Sequence, residues 1–310
     1  MFDVITIGNA LWDSFFILDG VEGCALDKAK KRLQLTYGAK IPILHTVQSV
    51  GGNAANVAVG LARLNKTVAL ITEIGKDFYG DLIIKELKKT KVETKFVLQK
   101  SGATTYSVIL NYKAERTILN STNVRDYKLA NLPPAKFVYF TSVGAAFGTI
   151  QPRLEKYLRA HSDTKLVFNP GVYQLHTGLN SVKSLIKKTE ILFLNLEEAQ
   201  MLAGQKLSNK LSAEKLHALG AKIVVITDGN RGATAFDGTK HCTQPIFKVK
   251  VVAKTGAGDA FASGFLAKYL ANGDILESLK WGSANAAGVV QHFGAQTGLL
   301  NEMEMKQLIK

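Results

Sequence analysis

Little in this chain braces it covalently. Two cysteines occur in 310 residues, Cys24 and Cys242, too few for a disulfide framework and in no metal-ligating spacing. That scarcity suits a reducing compartment, so a cytoplasmic location is expected. No apolar run approaches the roughly 18 residues that a membrane span requires. Met1 to Gly8 lacks the basic flank and apolar centre of a secretion signal and reads as a short buried strand. There is no internal repeat and no low-complexity linker. What remains is the composition of an ordinary soluble globular protein, long enough to bury a substantial core.

Charge is abundant, with a formal net value of +14. Such an excess can mark a nucleic-acid partner or steer anionic substrates. Here the cations form only short clusters, Lys28-Ala29-Lys30-Lys31-Arg32, Lys85 to Lys91 and Lys187-Lys188, and most sit in helical patterns between apolar residues. That is the spacing of solvated faces. Neither a nucleic-acid nor a membrane partner is expected.

Apolar runs of strand length recur at Val4–Ile7, Val68–Ile71, Phe137–Phe140, Leu166–Phe168, Ile191–Leu194 and Ile223–Ile226. Their continuous hydrophobicity predicts strands buried on both faces, hence a mostly parallel sheet. Helical patterns fill the gaps, at Asn53–Leu64, Gly80–Lys88, Ile150–Ala160 and Ser278–Gln291. The alternation predicts an α/β fold, a three-layer αβα Rossmann-like domain. Two stretches break the rhythm, about 15–50 and 95–119. The first holds a β-like piece around Ile41–Val47. In the second, Thr105, Ser107 and Ile109 alternate with Tyr106, Val108 and Leu110, and Tyr112-Lys113-Ala114-Glu115 makes a turn before Arg116–Leu119. Together they read as a small β-sheet lid on one catalytic unit spanning 1–310.

The densest chemistry lies at Thr255-Gly256-Ala257-Gly258-Asp259, between a β-type run (Ile246 to Val252) and a helical pattern carrying Phe261, Phe265, Leu266 and Tyr269. Glycines at 256 and 258 permit a tight turn and leave amides uncovered at a helix start, a ready anion site. Asp259 in the same first turn has two readings. It gains about 0.3–1 kcal/mol from the helix dipole, or it is a general base beside amides that hold developing phosphate charge. Asp13, in the loop after the first strand, is placed to accept hydrogen bonds from substrate hydroxyls; a plain turn aspartate explains it as well. Gly51-Gly52-Asn53-Ala54-Ala55-Asn56 opens a small-residue helix, with Asn53 and Asn56 on one face and Asn53 also suited to an N-cap. Two amides and no cation favour a neutral polyol. Asn195-Leu196-Glu197-Glu198 is close to a capping box, and Asn195 and Glu198 also suit the hydration shell of Mg²⁺. Thr227-Asp228-Gly229 ends a strand in a turn fit for nucleotide phosphates.

In this order the segments resemble the ribokinase (PfkB) family of carbohydrate and nucleoside kinases over essentially the whole chain. The resemblance implies ATP and Mg²⁺ as cosubstrate and metal, Asp259 as base, and Gly256, Ala257 and Gly258 as anion hole. It implies Asp13, Gly51, Gly52, Asn53 and Asn56 as sugar contacts, Asn195 and Glu198 as organisers of Mg²⁺, and Thr227, Gly229 and Asn285 around the nucleotide. A homodimer through the lid is compatible with it. Members needing a monovalent cation typically carry Asp-Thr-Thr before the anion hole; this chain has Ala253-Lys254-Thr255, and Gly294-Ala295-Gln296-Thr297-Gly298 in the loop that would close that site. Weak or absent K⁺ dependence is expected, with Lys254 either in solvent or supplying charge nearby. The alternative acceptor is a nucleoside, for whose base Trp12, Phe16, Tyr37 and Tyr106 are the candidate clamps. A catalytically inactive binding protein is the remaining reading, and Arg116 is a candidate for meeting a substrate carboxylate.

Overall fold

In chain order the elements are β1 (Phe2–Ile7), β2 (Leu11–Ile17), β3 (Cys24–Asp27), β4 (Arg32–Leu35), β5 (His45–Gly51), α1 (Asn53–Arg63), β6 (Val68–Gly75), α2 (Phe78–Lys88), β7 (Val97–Lys100), β8 (Tyr106–Tyr112), β9 (Glu115–Asn120) and β10 (Ala135–Phe140). There follow α3 (Phe147–Ala160), β11 (Lys165–Phe168), α4 (Val172–His176), α5 (Leu179–Ile186), β12 (Thr189–Asn195), α6 (Leu196–Ala203), α7 (Asn209–His217), β13 (Ile223–Thr227), β14 (Ala233–Phe236), β15 (His241–Gln244), α8 (Ala257–Asn272), α9 (Ile275–Val289) and α10 (Glu302–Ile309). The computed structural model describes every residue except Thr122, Val124, Lys128, Ala130 and Asn131.

The large sheet has the order β15-β14-β13-β12-β11-β10-β1-β6-β7. Neighbours from β13 to β7 run parallel, and β14 and β15 close one edge antiparallel. Each apolar run lies within a strand of this sheet, and successive residues feed opposite faces. Val4, Leu70, Tyr139, Val167 and Val225 join one core with residues of α1, α8 and α9. Ile5, Ile71, Val138, Leu166 and Val224 join the other with α3, α5 and α7. Within the first core, α1 and α8 pack closely because Gly60 leaves room for the Ser263 side chain. That contact fixes the two helix starts relative to each other. Among the described residues no helix is long and apolar enough to cross a membrane.

A separate four-stranded sheet, β5-β2-β8-β9, forms the lid. Lys113 and Ala114 link β8 to β9 in the expected two-residue turn, both at positive φ (51° and 63°). The alternation on β8 is real: Ser107, Ile109 and Asn111 are buried while their neighbours are half-buried. Phe15, Ile17 and Ile109 pack with Val47 and with Phe293, which follows α9, so the lid lies down on the body.

Several expectations need correction. The lid begins at Leu11 rather than 15, because β2 is one of its two inner strands, and its second part begins near Tyr106. Val97–Lys100 is the outermost strand of the large sheet, parallel to β6. The strand expected around Ile41–Val47 starts at His45; Pro42 has no N–H to give to a ladder. Ile246–Val252 forms no strand at all. Lysines alternate with its apolar residues, β15 already closes that edge, and the amides of Val252 and Ala253 instead donate to the Val290 carbonyl at 2.7 and 3.2 Å.

Candidate active site

Helix α8 starts at Gly256, whose φ of 82° is left-handed and whose added Cβ would stand 2.6 Å from Ala295. Backbone geometry therefore demands glycine there. Gly258 differs: its φ is ordinary and an added Cβ would meet nothing within 4 Å. The protein's own packing does not need that glycine. A missing side chain over the amides of a first turn, with no side chain capping the helix, leaves a cradle open to an anion. The Thr255 hydroxyl at its edge is buried without a hydrogen-bond partner among the described residues.

Asp259, the third residue of α8, is buried. Its Oδ1 accepts from Asn53 Nδ2 at 3.1 Å and its Oδ2 from Asn56 Nδ2 at 2.8 Å. Asn53 is thus not the N-cap of α1; Gly52 is, and the amide crosses to the acid instead. Gln296 Nε2 donates to Asn56 Oδ1 at 3.1 Å, which turns the Asn56 amide nitrogen toward Asp259. Burial raises the Asp259 pKa to about 6, against the two amides and the charge of Arg116, which favour the carboxylate.

Asp13 comes to the same place from β2. It lies opposite Ser49 on β5 and Ser107 on β8, and its carboxylate fills the space where Gly51 lacks a side chain. Burial raises its pKa to about 7; a Ser107 hydrogen bond lowers it and the Asp259 charge raises it. Asn195 and Glu198 close a complete capping box, with Glu198 N donating to Asn195 Oδ1 and Asn195 N to Glu198 Oε2, both at 2.9 Å. Burial, with Asp259 and Glu197 adding negative charge, raises Glu198 to about 7, although the Asn195 backbone bond pulls the other way. Asn195 and Thr227 are register partners at the carboxyl edge of the sheet. Gly229, at a positive φ of 54°, follows on the next turn.

Several residues depart from expectation. Asn285 is fully buried: Nδ2 donates to the Ala260 carbonyl (2.9 Å) and Ser263 Oγ (3.1 Å), and Oδ1 accepts from Leu300 N (2.9 Å). It ties α8 to α9 and has no donor left for a nucleotide. Trp12 and Tyr106 alternate with Asp13 and Ser107, so they lie on the opposite face of the lid. There they flank Tyr79 of α2, with ring centroids 6.2 and 4.9 Å from it, and Tyr37 is fully exposed. Lys254 is exposed to solvent, and its Nζ donates to the equally exposed Glu115 at the lid's hairpin. Tyr139 and Asn169 were not foreseen. The Tyr139 hydroxyl, which feels both Asp259 and Glu198, donates to Asn169 Oδ1 at 3.1 Å. The strand end Asn169-Pro170-Gly171 is a signal that points to Asn169; Tyr139 sits in an apolar run where nothing distinguishes it. Two shallow hollows lie elsewhere, one beside Lys66, Lys88 and Lys91 and one against β3 and β4; Asp13, Glu198 and Asp259 line neither.

Residues 25–302 match the profile of the pfkB family carbohydrate kinases. An uncharacterized sugar kinase of Archaeoglobus fulgidus is 30% identical over 248 residues, 78% of this chain and 98% of that protein. A 5-dehydro-2-deoxygluconokinase of Clostridium tetani is 27% identical, covering 84% of each chain. Among solved structures, Arabidopsis thaliana ribokinase complexed with ribose and ATP superposes with a TM-score of 0.81 at 21% identity, over 100% of this chain and 99% of that one.

Proposed function

Because the chain belongs to the pfkB family of carbohydrate kinases, we propose that it transfers the γ-phosphoryl group of ATP to a primary hydroxyl of a small neutral sugar, with Asp259 as general base. The carrying observation is the Asp259 carboxylate, buried at the open start of α8 and steadied by Asn53 and Asn56. With a pKa of about 6 it is ionised at neutral pH and more basic than an exposed aspartate. As the sugar oxygen bonds to the γ-phosphorus, its proton passes to Asp259. The bond from that phosphorus to the bridging oxygen breaks, and ADP departs with the electron pair. Amides at Gly256, Ala257 and Gly258 face the charge gathering on the phosphoryl oxygens.

Asp13 accepts from sugar hydroxyls, and Gly51 and Gly52 keep the backbone close to them. A carboxylate and two amides, with no cation acting on Asp13 among the described residues, favour a neutral substrate. The donor set fits Mg²⁺: Glu198 is a half-buried carboxylate that feels the charge of the buried Asp259, and Mg²⁺ takes only one or two carboxylates along with substrate phosphates. Asn195 and Glu198 are the residues to hold it, and when bound it supplies positive charge to the nucleotide phosphates. Thr227 and Gly229 border the same phosphates. Ala253 is buried and offers no carboxylate for a monovalent cation, which supports little dependence on K⁺.

The test is ADP release from Mg-ATP over ribose, fructose, glucose, 2-keto-3-deoxygluconate, adenosine, inosine and cytidine, each in Na⁺ and in K⁺ buffer. One neutral sugar should stand out, equally in both buffers. A response confined to nucleosides would overturn the acceptor class, and a large saturable gain with K⁺ would overturn the cation reading.

A further inference from the structure

The loop after α9 touches three parts of the site within a few residues. Phe293 packs with Phe15, Ile17 and Ile109 of the lid. Ala295 is buried against Gly256, so closely that a Cβ on that glycine would stand 2.6 Å from it. Gln296 then reaches the support of the base, with Nε2 donating to Asn56 Oδ1 at 3.1 Å. Left-handed glycines bracket the stretch, Gly294 at φ 102° and Gly298 at φ 81°. A Cβ added to them would stand 2.9 Å from Thr297 Oγ1 and 2.5 Å from the Gly288 carbonyl oxygen. The Gln296 amide is therefore offered from a tightly packed backbone.

What Gln296 decides is a polarity. The Asn56 side chain is buried, and an amide has one donating and one accepting end, whereas an ionised carboxylate only accepts. With Gln296 donating to the oxygen end of Asn56, the nitrogen end faces Asp259 Oδ2 and donates to it at 2.8 Å. Reversed, Asn56 would set an oxygen against the carboxylate. Asn53 is exposed and its bond to Oδ1 is longer, 3.1 Å, so Asn56 is the firmer of the two holds. The charged and titratable groups that act with Asp259 come from other elements: Arg116 from β9, Asp13 from β2, Glu198 from α6 and Tyr139 from β10. Among the described residues the Gln296 side chain hydrogen-bonds to none of these four, so its influence on Asp259 runs through Asn56.

We propose that Gln296 is a positioning residue for the transfer: it fixes the sense of the Asn56 amide, and through that amide keeps Asp259 ionised and aimed. The inference rests on the reading of Asp259 as general base. Gln296 needs no contact with sugar or nucleotide to do this, and neither amide gains or loses a proton. A hydrogen bond to an ionised group is among the stronger ones a side chain makes, so reversing it acts directly on the proton affinity of the base.

The test is the pH dependence of kcat/KM for the sugar, whose acid limb reports the base of the free enzyme. Gln296→Glu keeps the length but offers only acceptors when ionised, so it should draw the Asn56 nitrogen to itself and turn the oxygen to Asp259. The limb should move up by about one pH unit, which lowers kcat/KM about tenfold near pH 5 and hardly at all near pH 8.5. Gln296→Met frees the amide without reversing it and should move the limb less. Glutamate also brings charge, and Asn56→Leu separates the two effects: in that background Gln296→Glu should shift nothing further. A second readout needs no turnover. In ligand-free protein the carbon-13 resonance of the Asp259 carboxyl, assigned with Asp259→Asn, should titrate higher in Gln296→Glu than in wild type. Thermal melts confirm folding. A limb and a resonance that both stay put in Gln296→Glu would overturn the proposal, whatever the melting temperature does. So would a shift that persists in the Asn56→Leu background, which would be the bare charge of the new carboxylate. Failure of the Asp259 reading would appear separately, as full turnover in Asp259→Ala.

Discussion

Helices α6 and α8 both begin near the carboxyl edge of the large sheet, and both carry an acid as their third residue, Glu198 and Asp259. Helix α6 is finished within itself: Asn195 and Glu198 satisfy each other's amides in a closed box. The start of α8 is left open. Its N-cap is a left-handed glycine, no side chain returns to its amides, and its acid is held by two asparagines from α1. A helix start completed by its own residues needs nothing more, whereas one whose acid is held by a distant helix keeps its amides for a ligand. The box that satisfies α6 also fixes the half-buried Glu198 carboxylate where it feels the charge of Asp259.

The contrast is sharpest in the two acids' partners. Asp259→Ala should lower kcat at least about 100-fold, the low end of general-base contributions, while the fold persists. Asn195→Ala should cost about 1 kcal/mol of stability, as a lost N-cap does. Kinetics and melts on both variants decide it; near-wild-type turnover in Asp259→Ala would erase the distinction.

Next in size is the response to pH. Asp13, Glu198 and Asp259 have folded pKa values raised to about 7, 7 and 6. The folded protein therefore binds more protons than the unfolded chain between about pH 4 and 7. The stability these groups contribute is full below the unfolded values and is lost as pH rises through the folded ones. Ligand-free protein should accordingly melt lower at pH 8 than at pH 5, and Asp13→Asn or Glu198→Gln should narrow the gap. A melting curve whose pH dependence is the same in both variants as in wild type would mean these acids are not strained.

The smallest effect distinguishes the cradle glycines. Gly258→Ala adds a methyl where the protein has nothing within 4 Å, so helix propensity should raise stability by up to about 1 kcal/mol. The same methyl covers the amides offered to phosphate, so kcat/KM for ATP should fall about tenfold, less than the loss of a whole oxyanion donor. Retained activity would show that the open space is not used.

Much of this was legible in the residues. The buried strands announced themselves as continuous runs such as Ile223–Ile226, and the tight turn at Lys113-Ala114 was readable from the alternation on either side. The acids Asp13 and Asp259 each had a plain structural reading as well, a turn aspartate and a first-turn acid, and stood out through the order of the segments that carry them. Pattern failed where a run had the right chemistry but no free neighbour, as at Ile246–Val252. It failed again where a polar residue's partners are distant in sequence, as with Asn285, Gln296 and Tyr139.

By itself, the sequence determined the alternation of elements, the small-residue starts of α1 and α8, and the order of the acids, because periodicity, turn chemistry and helix caps are local. Only the tertiary structure decided that Asn53 serves Asp259 instead of capping α1, that Trp12 faces away from Asp13, and that Lys254 grips the lid. Those outcomes depend on contacts between residues up to 206 positions apart, and which partner satisfies a buried polar group is settled by packing.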